Sequence, residues 1–79
     1  MRKWLDSDGT HLDVRGLPAP PPMIEILRLL EAAGAGEVVV AHLDRDPIFL
    51  YPELAQRGWR PETVSGDAGE VRLRLTRAA

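Results

Sequence analysis

Alternation of apolar and polar residues predicts two strands that each bury one face. The first covers residues 11–15 and the second covers residues 70–76. Residues 59–65 are predicted as a further strand, because the glycine-containing turn 66–69 joins them to the last strand as a hairpin. The pattern therefore places one strand near the start of the chain and a hairpin near its end.

Between these strands the apolar spacing becomes helical. Residues 20–33 carry one apolar stripe, with charged residues on the opposite side, and Gly34 is predicted to end this helix. The stripe consists of Met23, Ile26, Leu27, Leu30 and Ala33. The continuous apolar run within residues 37–43 is typical of an interior parallel strand.

A second helix is predicted after the interior strand. Asp46 and Pro47 are expected as its cap and first helical residue. Pro52 has no amide proton, so we expect a loose turn at 47–50 and a regular helix over 51–57.

The predicted order is β-α-β-α-β-β. Right-handed crossovers put both helices on one face of a mixed four-stranded sheet, which gives an α+β two-layer sandwich. Residues 11–77 are expected to form this single domain, and residues 1–10 to form a short N-terminal arm.

Composition excludes several classes of function. The chain has 79 residues and no cysteine, which rules out thiol chemistry, disulfides and thiolate-bound metals. It shows no apolar run of membrane-spanning or signal-peptide length, so a cytoplasmic location and no membrane partner are expected. The net charge of −2 argues against nucleic acid as a partner.

Two segments carry a family resemblance. Residues 12–23 resemble the signature of the TusA/SirA sulfur-carrier family, with Ala19 at the position of its cysteine. The other matching positions are Asp13, Arg15, Gly16, Leu17, Pro20 and Pro22. The second segment contains Asp44, Arg45, Asp46 and Pro47 and looks like the cysteine-free, TusA-related branch of unknown function.

The resemblance implies a TusA-like fold in which the first two strands of residues 11–77 are parallel and the last strand is antiparallel to its neighbours. It also implies an accessory role in bacterial redox or sulfur and nitrogen metabolism. Because Ala19 has no nucleophile, persulfide transfer is excluded, and we expect neither enzyme activity nor a cofactor.

The strongest candidates for metal chemistry are His42 and Asp44, with His11 as a third ligand from the adjacent strand. A structural interpretation competes with this one. In it Asp46 caps a helix, Arg45 pairs with a nearby carboxylate, and His42 is a polar residue on the open sheet face.

The sheet face away from the helices is the candidate partner surface, for a protein partner or a second copy of the chain. Its predicted centre is an exposed pair, Val38 and Val40, flanked by charged residues. The candidate partner-binding residues are Arg15, Val38, Val40, His42, Arg72 and Arg74. RNA binding through the three arginines of this set is a further alternative.

Overall fold

The computed structural model of the protein describes residues 1–18 and 21–78. These residues form two helices and five strands, and the five strands make one sheet. The elements are β1 (Arg2–Asp6), β2 (Gly9–Asp13), α1 (Pro21–Ala32), β3 (Val39–Leu43), α2 (Leu50–Gln56), β4 (Trp59–Val64) and β5 (Val71–Arg77). The predicted α+β class and the order of residues 11–77 are confirmed. Ala19, at the family's cysteine position, and Pro20, the predicted helix start, lie outside the described residues.

The sheet has five strands, so the prediction of four was wrong. Strand β1 pairs antiparallel with β2, and Asp6 lies opposite Gly9 across a two-residue loop. The sequence Ser7-Asp8-Gly9 is a hairpin signal, because aspartate and glycine favour a tight reversal. Thus the segment expected to be an arm supplies an edge strand.

The strand order is β1-β2-β3-β5-β4. Strand β2 is parallel to β3, while β5 is antiparallel to both β3 and β4, as the resemblance implied. Strand β3 therefore has a partner on each side, and all five of its residues are buried. This position explains why its sequence is apolar throughout rather than alternating.

Val40 and His42 lie on the sheet face away from the helices, as predicted, because Val39 and Ala41 of the same strand belong to the core on the helix side. One face packs with residues of both helices in a single apolar core. The sheet and strand-end residues of this core are Leu12, Val14, Val39, Ala41, Leu43, Trp59, Leu73 and Leu75. The helix residues that pack against them are Ile26, Leu30, Leu50 and Leu54, together with the partly buried Met23 and Leu27.

The expectation of an exposed valine pair on the other face was wrong. Val40 is only 2% exposed, and Val38 is half-buried. In the sheet register Val40 lies between His11 on β2 and Arg74 on β5. Long side chains next to a central-strand valine restrict solvent access on the face without helices.

The predicted loose turn before α2 is confirmed, but the predicted cap is wrong. Helix α2 begins at Leu50 with Phe49 in the capping position and no side-chain cap. The Asp46 carboxylate instead accepts a hydrogen bond from the Tyr51 hydroxyl at 2.5 Å. Helix α1 ends at Ala32, so the predicted end of this helix near Gly34 is confirmed, although the φ of Gly34 is not positive.

Neither helix in the described residues has the length and apolar character needed to cross a membrane.

Candidate functional site

An apolar cleft of about 600 Å³ opens where strands β2 and β3 end. Ligands of open α/β sheets gather at this edge, beyond the carboxyl ends of parallel strands. The apolar residues that line it are Val14, Leu17, Pro18, Pro22, Met23, Ile26, Leu43, Pro47, Ile48, Phe49 and Leu50. A cleft of this size and lining has the character of a binding site.

The rim of the cleft carries two unusually exposed apolar side chains. Phe49 is 77% exposed and Ile48 is 61% exposed. Both lie in the turn between Asp46 and the first residue of α2, where the backbone N–H of Leu50 donates to the carbonyl oxygen of Pro47 at 2.9 Å. The turn therefore presents these side chains next to the cleft.

Polar side chains at the rim hold the loops in place. Asp44 Oδ2 accepts a hydrogen bond from the backbone N–H of Gly16 at 2.6 Å and so ties the loop after β3 to the loop after β2. Burial and the hydrogen bond to Asp46 raise the pKa of Tyr51 to about 12. Arg45 also lines the cleft, and among the described residues it forms no ion pair within 4.0 Å.

A buried polar chain crosses the sheet face without helices. His11 Nδ1 lies 2.7 Å from His42 Nε2. The two rings belong to diagonal neighbours, because His11 is opposite Val40 and His42 is opposite Asp13 in the β2–β3 register. His11 is 6% exposed and His42 is 4% exposed.

Each end of the histidine pair meets a carboxylate. His11 Nε2 lies 2.7 Å from Asp8 Oδ1, and His42 Nδ1 lies 2.5 Å from Glu70 Oε2. Burial by itself raises the pKa of Glu70, but hydrogen bonds from Arg72, from the Asp67 backbone and from His42 outweigh it and lower that pKa to about 2. The hydrogen bond to His11 also lowers the pKa of Asp8.

Trp4 of strand β1 covers this pair. Its ring stacks on His11 with centroids 5.0 Å apart and an angle of 18° between the planes. The centroid of His42 is 5.2 Å from that of Trp4. The hairpin β1–β2 thus contributes both a lid and the Asp8 carboxylate.

The structure brings together only two of the three candidate metal ligands. His11 and His42 meet, whereas Asp44 is bound to the Gly16 amide at the cleft. Donor atoms of Asp6 and Asp8 do lie within 4.8 Å of a His11 nitrogen. Both aspartates are exposed, and His11 Nε2 is already engaged by Asp8, so we propose no metal site there.

The three arginines of the predicted RNA surface are each paired with a carboxylate. Arg15 forms a two-pronged contact with Asp13 at 2.9 and 2.8 Å, which lowers the pKa of Asp13 to about 2. Arg72 contacts Glu70 at 2.9 Å, and Arg74 contacts Glu62 at 2.7 Å. Such pairing leaves little free positive charge for phosphate.

Sequence reasoning missed Trp4, Asp8 and Glu70 as partners of the histidines. The Asp-Gly pair at residues 8–9 was the available signal for the hairpin that delivers the first two. No comparable signal marks Glu70, which reaches His42 from the turn before β5.

The two helices lie on one face of a mixed sheet, and this arrangement is the fold of SirA-like proteins. A crystal structure of a SirA-like protein from Desulfitobacterium hafniense is similar, with a TM-score of 0.74 and 25% sequence identity over 87% of this chain and 97% of that one. The chain belongs to the family described as an uncharacterized conserved protein (DUF2249), whose family model matches residues 11–77. No curated protein matches this chain.

Proposed function

We propose that the protein is a non-catalytic binding domain whose apolar cleft receives apolar side chains of a protein partner. The observation that carries this proposal is the exposure of Phe49 and Ile48 beside a cleft lined by core residues. Exposed aromatic side chains next to an apolar depression are typical of the centre of a protein interface. In a domain of 79 residues, this is a large apolar surface to leave in contact with water.

The cleft supports partner binding better than the sheet face without helices. On that face Val40 is buried, and Arg15, Arg72 and Arg74 are already paired with carboxylates. A partner that used these arginines would compete with the carboxylates already bound to them. It would also find little exposed apolar surface to contact on this face. Binding of a partner or a second copy through that face is the alternative proposal.

The chemistry of a sulfur carrier is not available to this chain. A persulfide requires a cysteine sulfur, and the sequence contains none. The proposed setting in bacterial redox or sulfur and nitrogen metabolism rests on the family resemblance alone. Within that setting the domain would act by contact with another protein.

The test uses a photo-crosslinking amino acid, p-benzoylphenylalanine, placed at position 49 in the source cell. The matched control places it at position 5, because Leu5 is also an exposed apolar residue, 82% exposed, but lies on edge strand β1. We expect a discrete protein adduct from position 49 and none from position 5. Equal adducts at both positions, or none at either, would refute the proposal.

Binding by the purified proteins is the second half of the test. The cross-linked partner, once identified and purified, should bind the wild-type domain and lose at least about tenfold in affinity with Phe49→Ser. The melting temperature should barely change, because the side chain is exposed. Leu5→Ser should retain full affinity.

A further inference from the structure

The roles of the outer ring nitrogens of His11 and His42 are fixed by their partners. Each outer nitrogen faces a carboxylate, Asp8 in one case and Glu70 in the other. An ionised carboxylate only accepts hydrogen bonds, so His11 Nε2 and His42 Nδ1 must each carry a proton.

A neutral imidazole has one ring proton, and in both residues that proton is used at the outer nitrogen. The inner nitrogens, His11 Nδ1 and His42 Nε2, are 2.7 Å apart. If both rings were neutral, two lone pairs would face each other at hydrogen-bond distance inside the fold. The geometry therefore requires one more proton than two neutral rings supply.

We infer that His11 and His42 hold one shared proton between Nδ1 and Nε2, and that this proton fastens the β1–β2 hairpin and Trp4 onto the sheet. The proton belongs to the histidine pair as a whole. It gives the pair one positive charge, which lies between the carboxylates of Asp8 and Glu70. With Arg72 beside Glu70, the charges of the histidine pair, Asp8, Glu70 and Arg72 sum to zero.

The extra proton belongs on the rings rather than on either carboxyl group. Glu70 accepts hydrogen bonds from Arg72 and from the Asp67 amide at 2.9 and 2.7 Å, which favours its ionised form. Its side chain is 1% exposed, so protonation there would leave those donors facing a neutral group. Asp8 is 57% exposed, and water also favours its charged form.

Charged groups from every neighbouring strand or turn surround the pair. They are Arg2 and Asp6 on β1, Asp8 in the following turn, Asp13 on β2, Arg15 after it, Asp67 and Glu70 before β5, and Arg72 and Arg74 on β5. Asp13 and Arg74 are opposite or adjacent to the histidines in the sheet register. Of all these groups, only the carboxylates of Asp8 and Glu70 contact the two rings directly.

Loss of the shared proton has a structural consequence. The facing lone pairs repel, so one ring must turn away or move its proton to the inner nitrogen. In either case the hydrogen bond of that ring to Asp8 or Glu70 is lost. Strand β1 pairs with β2 alone, which makes it the least supported strand at this end of the sheet. Release of His11 therefore also loosens the stacked Trp4 and the hairpin.

Nuclear magnetic resonance of protein labelled with ¹⁵N in its histidine rings tests the proton directly. At about pH 6 we expect three ring protons on the two histidines together, with a coupling between the inner nitrogens across the hydrogen bond. Detection of only two protons, one on each ring, would overturn the inference. Two fully protonated rings would also overturn it, because no proton would then be shared.

Hydrogen exchange tests the fastening of the hairpin. Between about pH 6 and about pH 9, protection factors of β1 amides should fall about tenfold or more relative to those of β3 and β5. In His42→Gln the side-chain amide can donate to His11 Nδ1 without an added proton, so this difference should disappear. If the protection factors of the wild-type β1 amides, relative to β3 and β5, were the same at both pH values, the inference would be contradicted. This outcome needs only the wild-type protein and does not depend on folding of the variant.

Discussion

The backbone oxygen of Val38 lies in the space that a β-carbon on Gly9 would occupy. The same oxygen accepts a hydrogen bond from the Thr10 amide at 2.9 Å, which joins the hairpin to the start of β3. Gly9 also has a φ of +133°, a conformation that other residues rarely adopt. Glycine is therefore required here by both space and backbone conformation.

Gly9→Ala should lower the free energy of unfolding by about 2–4 kcal/mol, because the chain must move Val38 and also strain its own backbone. Chemical denaturation measures the change. Gly34→Ala is the matched control, since nothing lies within 4 Å of its added carbon and its φ is not positive. A Gly9 variant as stable as the Gly34 variant would contradict this account.

Acid should destabilise the protein through Glu70. Its pKa is lowered from 4.5 to about 2, so the stability that it contributes is complete above the unfolded value and is lost as the pH falls from about 4.5 to about 2. The loss amounts to about 3 kcal/mol. Denaturation curves of Glu70→Gln across this range should lack that component, although Asp13 still contributes a decline of its own.

Asp46 should affect the ionisation of Tyr51 more than the stability of α2. Tyr51 is the only tyrosine in the chain, so absorbance near 295 nm reports its titration alone. In Asp46→Asn the pKa of Tyr51 should fall from about 12 but stay above 10, because burial contributes independently of the carboxylate. An unchanged titration would show that the two side chains do not interact in solution.

Val40 should behave as a core residue. Val40→Asp is expected to unfold the protein or to cost more than about 3 kcal/mol, because it puts a carboxylate in place of an apolar side chain that is only 2% exposed. Val38→Asp should cost clearly less, since Val38 is half-buried at the start of the strand. Thermal melts of the two variants provide the comparison, and equal effects would argue against the observed burial.

The sequence predicted the faces of the sheet because β5 alternates without ambiguity. Once Val71, Leu73 and Leu75 face the helices, pairing fixes the orientation of Leu43, Ala41 and Val39 on the continuous strand β3. The burial of Val40 was not predictable in this way, because it depends on side chains of neighbouring strands.

The candidate site was only partly predictable for a similar reason. Alternation placed His11 and His42 on one face, but their contact requires the β2–β3 register, and the carboxylates come from turns. The cleft was missed because Asp46 and Pro47 were expected to begin the second helix. Ile48 and Phe49 were therefore placed in its first turn and were not recognised as exposed residues beside a cleft. Local patterns carry little information about how turns from distant parts of a chain meet.

The place of β5 in the sheet affects how the chain can fold during synthesis. Strand β5 lies between β3 and β4 although it follows both in the chain. Until residues 71–77 leave the ribosome, one edge of the apolar strand β3 has no partner, and β4 has none at all. An unpaired apolar edge invites association with other chains, so a newly released chain is exposed to aggregation until β5 inserts between β3 and β4.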